Sequence, residues 1–435
     1  MSRWKNKIGK AILAVAFLTT TMVAGTATTA SAAVPQANLD LAVKSAILVE
    51  ASTGKILYQN NPDVPLPPAS MTKMMTEYLV MEAIKENKIK WDQKVKVSDY
   101  AFYIAKKSDS SGVYLNSGEE FTVGDLYQAM AIVSANDATV LLAETVGGSE
   151  PNFVVEMNKK AQELGMKSTH FLTSSGLPAS ELGPYAPADT ANDNVMTARD
   201  AAILARALIR DYPDALKYSQ IPRLTFRPGQ KNELKKANYN WMLKGLPAEY
   251  PGADGLKTGS TEQAKYCFTG TAQRDGMRLI SVVMGADTEM KRFAETKKLF
   301  DYGFSNFKLT KKQAANTPVA GFESVPVKKG VELNVPAVPS SDVTVLTKVG
   351  EEGQFNPKVT VQDLTAPVKK GQVIGKVMYQ AADAVEADYL QPADFQKGGI
   401  DLVAANDVEE ASWIRLFFRS IGTFFSNLFS SIIGK

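Results

Sequence analysis

The stretch "PPASMTKMMTEYLVMEAI", residues 67–84, places Ser70 two residues beyond a proline pair and Lys73 three residues beyond Ser70. Prolines followed by a long apolar run predict a helix over residues 69–87 whose first turn carries the serine. Residues i and i+3 share a helix face, so the hydroxyl and the amine are within reach of one another. Two readings compete for this pair: a nucleophile with its base, or a polar cap on a buried helix. The first needs a neutral Lys73. Its pKa must fall from about 10.4 to about 7–8, which costs about 4 kcal/mol. The positive end of a helix dipole contributes only about 0.3–1 kcal/mol, or about 2 kcal/mol when partly buried. Desolvation and a second cation must supply the rest, so a functional Ser-x-x-Lys pair requires another lysine in the site.

At 435 residues and 45% hydrophobic composition the chain is long enough for two domains and a sizeable core, which excludes a disordered protein. Residues 1–32 run from basic Arg3, Lys5, Lys7 and Lys10 through an apolar stretch, Ala11 to Leu18, to Ala30-Ser31-Ala32. That order is a secretory signal peptide, and its apolar run falls short of the ~20 residues of a membrane span. Removing it takes away four basic and no acidic side chains, so the formal charge falls from +3 to −1. With no basic run in the mature chain, nucleic acid is not an expected partner. The single cysteine, Cys267, permits no internal disulfide, and its apolar surroundings, "KYCFTGTA", are those of a buried structural thiol.

At the other end, residues 409–435 form an amphipathic pattern. A 100° wheel puts Trp413, Ile414, Phe417, Phe418, Ile421, Phe424, Phe425, Leu428 and Ile432 on one broad face. Arg415, Arg419, Thr423, Ser426, Asn427 and Ser430 fall on the other. This polarity suits a helix lying in the headgroup plane, so a peripheral anchor in membrane lipid is expected.

Between the ends, residues 35–305 read as one mixed domain. "AILVEASTGKILYQN" predicts a hairpin around Ser52-Thr53-Gly54. Helical patterns follow over 69–87, 124–133, 137–146, 152–164 and 197–210, the last opening on Thr197 and Asp200 at capping-box spacing. Two late strands, "KYCFTGTA" and "RLISVVMGA", are joined by Arg274-Asp275-Gly276. Strands at both ends of the segment and helices in the middle predict a sheet closed by the two chain ends. From 318 to 402, short Val-rich runs broken by Pro and Gly predict a separate small β domain. Pro-Val-Lys-Lys-Gly occurs there twice, at 326–330 and 367–371, fitting either two similar hairpins or shared turn chemistry.

His170 is the only histidine, so a His-x-x-x-His zinc site is excluded and no metal or cofactor is expected. There is no Gly-x-Ser-x-Gly elbow and no phosphate-binding glycine loop. Two further elements answer the demand for a second cation and a cleft. "AIVSANDATV" sets Ser134 and Asn136 at the join of two helical stretches, and "GLKTGST" sets Lys257, Thr258 and Gly259 at a strand start. There Gly259 is expected to leave room for a substrate beside the strand.

In this order, Ser70-Met-Thr-Lys73, Ser134-Ala-Asn136 and Lys257-Thr-Gly259 resemble the three motifs of the penicillin-binding proteins and serine β-lactamases. More narrowly, the chain resembles the low-molecular-mass penicillin-binding proteins, D-alanyl-D-alanine carboxypeptidases of the penicillin-binding protein 5 type. The likeness spans the signal peptide, the "LTAPVKKGQVIG" stretch and the amphipathic tail. It implies an α+β fold: an antiparallel sheet flanked by helices, then a β-sandwich-like domain and a C-terminal amphipathic helix. It also implies an exported enzyme on the outer face of the bacterial cytoplasmic membrane. Such an enzyme trims the terminal D-alanine from peptidoglycan pentapeptide stems and is acylated by β-lactam antibiotics.

The resemblance further implies roles for single residues. Ser70 would be the acylated nucleophile and Lys73 its base. Ser134 would relay a proton to the leaving D-alanine, and Asn136 would hold the peptide amide. Lys257 and Thr258 would bind the terminal carboxylate, and the N–H groups of Ser70 and Ser260 would form the oxyanion hole. The chain departs from the family pattern at Ser175-Gly176-Leu177, where a histidine often precedes Gly-Leu; here His170 lies upstream and reads as structural. Tyr239 stands at a position that is often basic. The absence of a Glu-x-x-Leu-Asn stretch between Ser134 and Lys257 argues against a class A β-lactamase. A transpeptidase or endopeptidase would use the same residues, and a non-catalytic wall-binding protein would be expected to have lost one motif.

Overall fold

A computed structural model describes residues 37–107, 110–351 and 353–422. Residues 1–32, expected to be a signal peptide, and the second half of the tail lie outside them. Strands Ser45–Glu50 (β1) and Ile56–Asn60 (β2) form the expected hairpin. The chain then runs through Lys73–Lys85 (α1), Val123–Val133 (α2), Asn136–Gly147 (α3), Glu150–Glu163 (α4) and Ala198–Asp211 (α5). It returns as Ala253–Thr261 (β3), Lys265–Arg274 (β4) and Met277–Ala286 (β5), followed by Glu289–Asn306 (α6).

The five strands make one antiparallel sheet in the order β2-β1-β5-β4-β3, so the late strands close onto the first. Successive side chains of a strand point to opposite faces, and here both faces are apolar. Ile47 and Val49 of β1 join one core with Ile280 and Val282 of β5, while Ala46 and Leu48 join a second with Leu279 and Val283. A strand buried on both faces needs helices on both sides. α1 and α5 cover the first face; Phe293, Leu299 and Phe300 of α6 cover the second.

α6 shows no clear helical pattern in the sequence, because charged residues interrupt its apolar stripe. Thr288 caps it by accepting from Lys291 N–H. Gly303 lets it lie close on the sheet: a Cβ there would stand 2.5 Å from Leu279 Cδ1. β3 is an edge strand, paired only with β4 among the described residues. The thiol of Cys267 on β4 is buried, which pushes its pKa up to about 11.

The following β structure starts at Phe307, ahead of residue 318, where Phe307–Gln313 (β6) pairs with Val343–Lys348. A six-stranded sheet completes it around a valine-rich core. The two Pro-Val-Lys-Lys-Gly copies are not similar hairpins, and they turn differently, with positive φ at Lys329 in the first and at Gly371 in the second. The first ends strand Ser324–Lys328, which forms a hairpin with Asn334–Pro339, whereas the strand before the second, Leu364–Thr365, pairs in parallel with Ser324–Lys328. Residues 413–422 are helical. Arg419 on their polar face donates to the carbonyls of Gly330 and Val331 at 2.8 and 3.2 Å, while Trp413, Ile414, Phe417 and Phe418 are exposed, Trp413 by 76%. No helix among the described residues is long and apolar enough to cross a membrane.

Candidate active site

Ser70 sits in a 3-10 turn, Ala69–Thr72, that leads directly into α1. Neither the turn nor the helix has a side-chain cap, so Ser70 is not a capping residue. The turn is held in an unusual shape. Ala69 adopts φ +48, and its carbonyl is packed so tightly on Gly176 that a Cβ there would lie 2.0 Å from the oxygen.

Lys73, the first residue of α1, is fully buried. Its Nζ donates to Ser70 Oγ at 3.1 Å, to Asn136 Oδ1 at 2.6 Å and to the carbonyl of Ser175 at 2.6 Å. Three acceptors therefore fix the amine beside the hydroxyl. Asn136 opens α3 and is engaged at its other end too, donating through Nδ2 to Ser110 Oγ at 2.7 Å. Ser134 ends α2 in the left-handed conformation, φ 55. Its buried hydroxyl has no hydrogen-bond partner among the described residues.

β3 brings the third motif against the turn. Lys257 and Thr258 are buried and Ser260 is exposed. At Gly259 the space expected for substrate is taken by the protein's own backbone. A Cβ there would stand 2.5 Å from the Pro68 carbonyl, 3.1 Å from Met71 N and 3.2 Å from Ser70 N. Glycine is needed so that strand and turn can touch.

The electrostatics follow from this packing. Burial, reinforced by the Lys257 cation, holds Lys73 well below the ordinary lysine range; Asp137 and Glu77 act in the opposite direction. Burial also lowers Lys257, against the attraction of Glu77 and with help from Arg292. Two ammonium groups in one dry pocket disfavour each other, and at least one is driven toward neutrality.

Several members of this site were not found by motif. Arg292 of α6 donates to the Gly259 carbonyl at 3.4 Å, and the Ser175 carbonyl belongs to the loop after α4. Glu77 stands one turn beyond Lys73, buried, with Tyr127 donating to its Oε2 at 3.3 Å. A signal for Glu77 was present: it is the one acid in residues 67–81. His170 pairs through its backbone with Val195, and the residue is exposed. No group of three His, Cys, Asp or Glu side chains suited to a metal occurs among the described residues.

A model of the D-alanyl-D-alanine carboxypeptidase family, peptidase S11, matches residues 27–288, and a model of the penicillin-binding protein 5 C-terminal domain matches residues 304–410. The D-alanyl-D-alanine carboxypeptidase DacF of Bacillus subtilis is 36% identical over 381 residues, 87% of this chain and 89% of that protein. The DacA enzyme of Escherichia coli is 33% identical over 348 residues, covering 78% and 79%. Among solved structures, a peptidoglycan synthesis regulatory factor (PBP3) from Streptococcus pneumoniae superposes with a TM-score of 0.77 at 34% identity, over 85% of this chain and all of that one. Penicillin-binding protein 5 of Haemophilus influenzae superposes with a TM-score of 0.66 at 33% identity, over 87% of this chain and all of that one.

Proposed function

The chain belongs to the D-alanyl-D-alanine carboxypeptidase family, peptidase S11, and from that membership we propose that Ser70 is the nucleophile of a penicillin-binding carboxypeptidase acting on peptidoglycan stems. The observation that carries the assignment is the buried Lys73 amine 3.1 Å from Ser70 Oγ, in a pocket that already holds a second lysine. A neutral Nζ accepts the Ser70 proton as Oγ bonds to the carbonyl carbon of the penultimate D-alanine. The developing oxyanion lies between the N–H groups of Ser70 and Ser260. As the C–N bond breaks, the proton held by Lys73 passes through the Ser134 hydroxyl to the leaving D-alanine nitrogen, which returns Lys73 to the neutral amine and Ser134 to the hydroxyl. Water then attacks the ester carbonyl; Lys73 takes its proton and delivers it to Ser70 Oγ as the bond from Oγ to the acyl carbon breaks.

The open edge of β3 supports an extended stem peptide pairing as an added strand, with Lys257 and Thr258 receiving its carboxylate. Asn136 fixes Lys73 and would reach the peptide amide by exchanging its contact with Ser110. Incubation with benzylpenicillin should add one penicilloyl mass, mapping to the peptide that contains Ser70. The enzyme should also release D-alanine from a pentapeptide ending in D-Ala-D-Ala. An adduct mapping elsewhere would overturn the nucleophile assignment, and transfer to an amine instead of water would favour transpeptidation.

The family is one of cell-wall enzymes. For this chain the exposed Trp413, Ile414, Phe417 and Phe418, with Arg419 turned to the β domain, support a tail lying on membrane lipid at the outer face of the cytoplasmic membrane. The mature charge near neutrality leaves nucleic acid out of this reading. A chain ending at residue 411 is expected to stay in solution when mixed with phospholipid vesicles that sediment the full chain, with D-alanine release unchanged. Equal sedimentation of the two would remove the anchor.

A further inference from the structure

Residues 172–177, downstream of α4, form neither helix nor strand, yet Thr173, Ser174 and Ser175 are buried. Buried backbone groups outside a ladder need partners from side chains. Asn194 serves the first part of the segment: its Oδ1 accepts from the N–H groups of Leu172 and Thr173 at 2.7 and 3.0 Å, and its Nδ2 donates to the Thr173 carbonyl and to Thr72 Oγ1. Glu150, the first residue of α4, serves the next. It is 4% exposed, and its Oε1 accepts from both donors of Ser174, the N–H at 2.9 Å and the hydroxyl at 2.5 Å. Tyr100, from the helix Asp99–Ala105, donates to Oε2 at 2.5 Å.

Two carbonyls of the same segment face α1. Thr76 Oγ1 donates to that of Ser174 at 2.7 Å, and Lys73 Nζ to that of Ser175 at 2.6 Å. Ser174 is thus held from both sides, its donors by α4 and its carbonyl by α1. The path from Glu150 to the reaction runs through Ser174 and Ser175 to the Lys73 amine.

We propose that Glu150 is a positioning residue for acylation: by holding both donors of Ser174 it sets the Ser175 carbonyl on Lys73 Nζ and keeps the amine against Ser70 Oγ. This rests on the roles assigned above to Ser70 and Lys73. The carboxylate works here as a pair of acceptors, so glutamine should replace it. The amide oxygen would keep Ser174, and the amide nitrogen would donate to the Tyr100 hydroxyl, which can turn to accept. Alanine would release Ser174. Lys73 would then lose a carbonyl that favours its ammonium form over the neutral amine. The charges that act on it, Lys257 from β3, Asp137 from α3 and Glu77 from α1, would stay in place.

The experiment measures the second-order rate constant for acylation of the full-length protein by benzylpenicillin across pH, read by intact mass. In Glu150→Ala the plateau should fall by about 10- to 100-fold. The acid midpoint, where Lys73 becomes neutral, should move toward acid by about half a pH unit or more. A midpoint does not depend on the fraction of folded protein, so a purely structural defect would leave it in place. Glu150→Gln should keep the wild-type midpoint and most of the plateau. If the alanine chain does not fold, Ser174→Ala, which removes the hydroxyl and leaves the N–H, should move the midpoint the same way by less. A midpoint unmoved in Glu150→Ala, or in Ser174→Ala where that variant stands in, overturns the proposal, as does a Glu150→Gln profile displaced as far as either. An adduct that maps away from Ser70 in the wild type would overturn the underlying reading, so the two failures are distinct.

Discussion

Exchange of Lys73 for arginine is expected to slow acylation of the protein by a β-lactam by about 10²–10⁴-fold, the usual contribution of a positioned general base. Lys73 has two separable properties in this site. It donates to Asn136 Oδ1 and the Ser175 carbonyl, and its pKa is driven down by burial and by Lys257. Arginine offers donors in the same place. Its guanidinium, however, does not deprotonate in proteins, so no nitrogen lone pair becomes available to Ser70. Raising the pH should therefore fail to rescue the variant, whereas a residual lysine-like base would gain rate with alkali. Acylation rates from about pH 6 to about pH 10 decide the matter. An arginine enzyme within tenfold of wild type would mean that Lys73 acts through its charge and that another group takes the proton.

The second large effect concerns a residue with no functional group. Gly259→Ala is expected to reduce acylation and D-alanine release by about 10²–10³-fold, comparable to the loss of one oxyanion-hole donor. The new methyl carbon would stand 2.5 Å from the Pro68 carbonyl and 3.2 Å from Ser70 N. Both neighbours are backbone, so β3 and the Ser70 turn must separate, which would spoil the oxyanion hole proposed for the N–H groups of Ser70 and Ser260. Overpacking of this kind also costs about 1–3 kcal/mol of stability, readable by urea denaturation of the same protein. Wild-type turnover in Gly259→Ala would show that the contact between strand and turn does not shape the oxyanion site.

Much of the architecture was legible because short-range rules govern it. Thr197 was read as a helix cap from its spacing to Asp200, and in the structure it accepts from Asp200 N–H at 3.0 Å and opens α5. The turn Arg274-Asp275-Gly276 was likewise read correctly between two strands, and Asp275 and Gly276 both take positive φ there. α6 escaped notice for a physical reason. Its apolar side chains are separated by lysines and acids, and the stripe becomes visible only against the sheet face that it covers. Gly259 was noticed for the wrong neighbour, since nothing local in "GLKTGST" shows that Pro68 packs against it.

Residue order was enough to single out Ser70, Lys73, Ser134, Asn136 and Lys257 as candidates, and to expect two lysines in one pocket, because motif spacing and the cost of neutralising an amine are both readable from a linear chain. Where the proton rests is another kind of quantity. It sums burial and charge from α1, α2, α3, β3 and α6, segments far apart in the chain that become neighbours only on folding. Desolvation and Coulomb coupling depend on distance through space, so Glu77 and Arg292 enter the site through packing that no motif records.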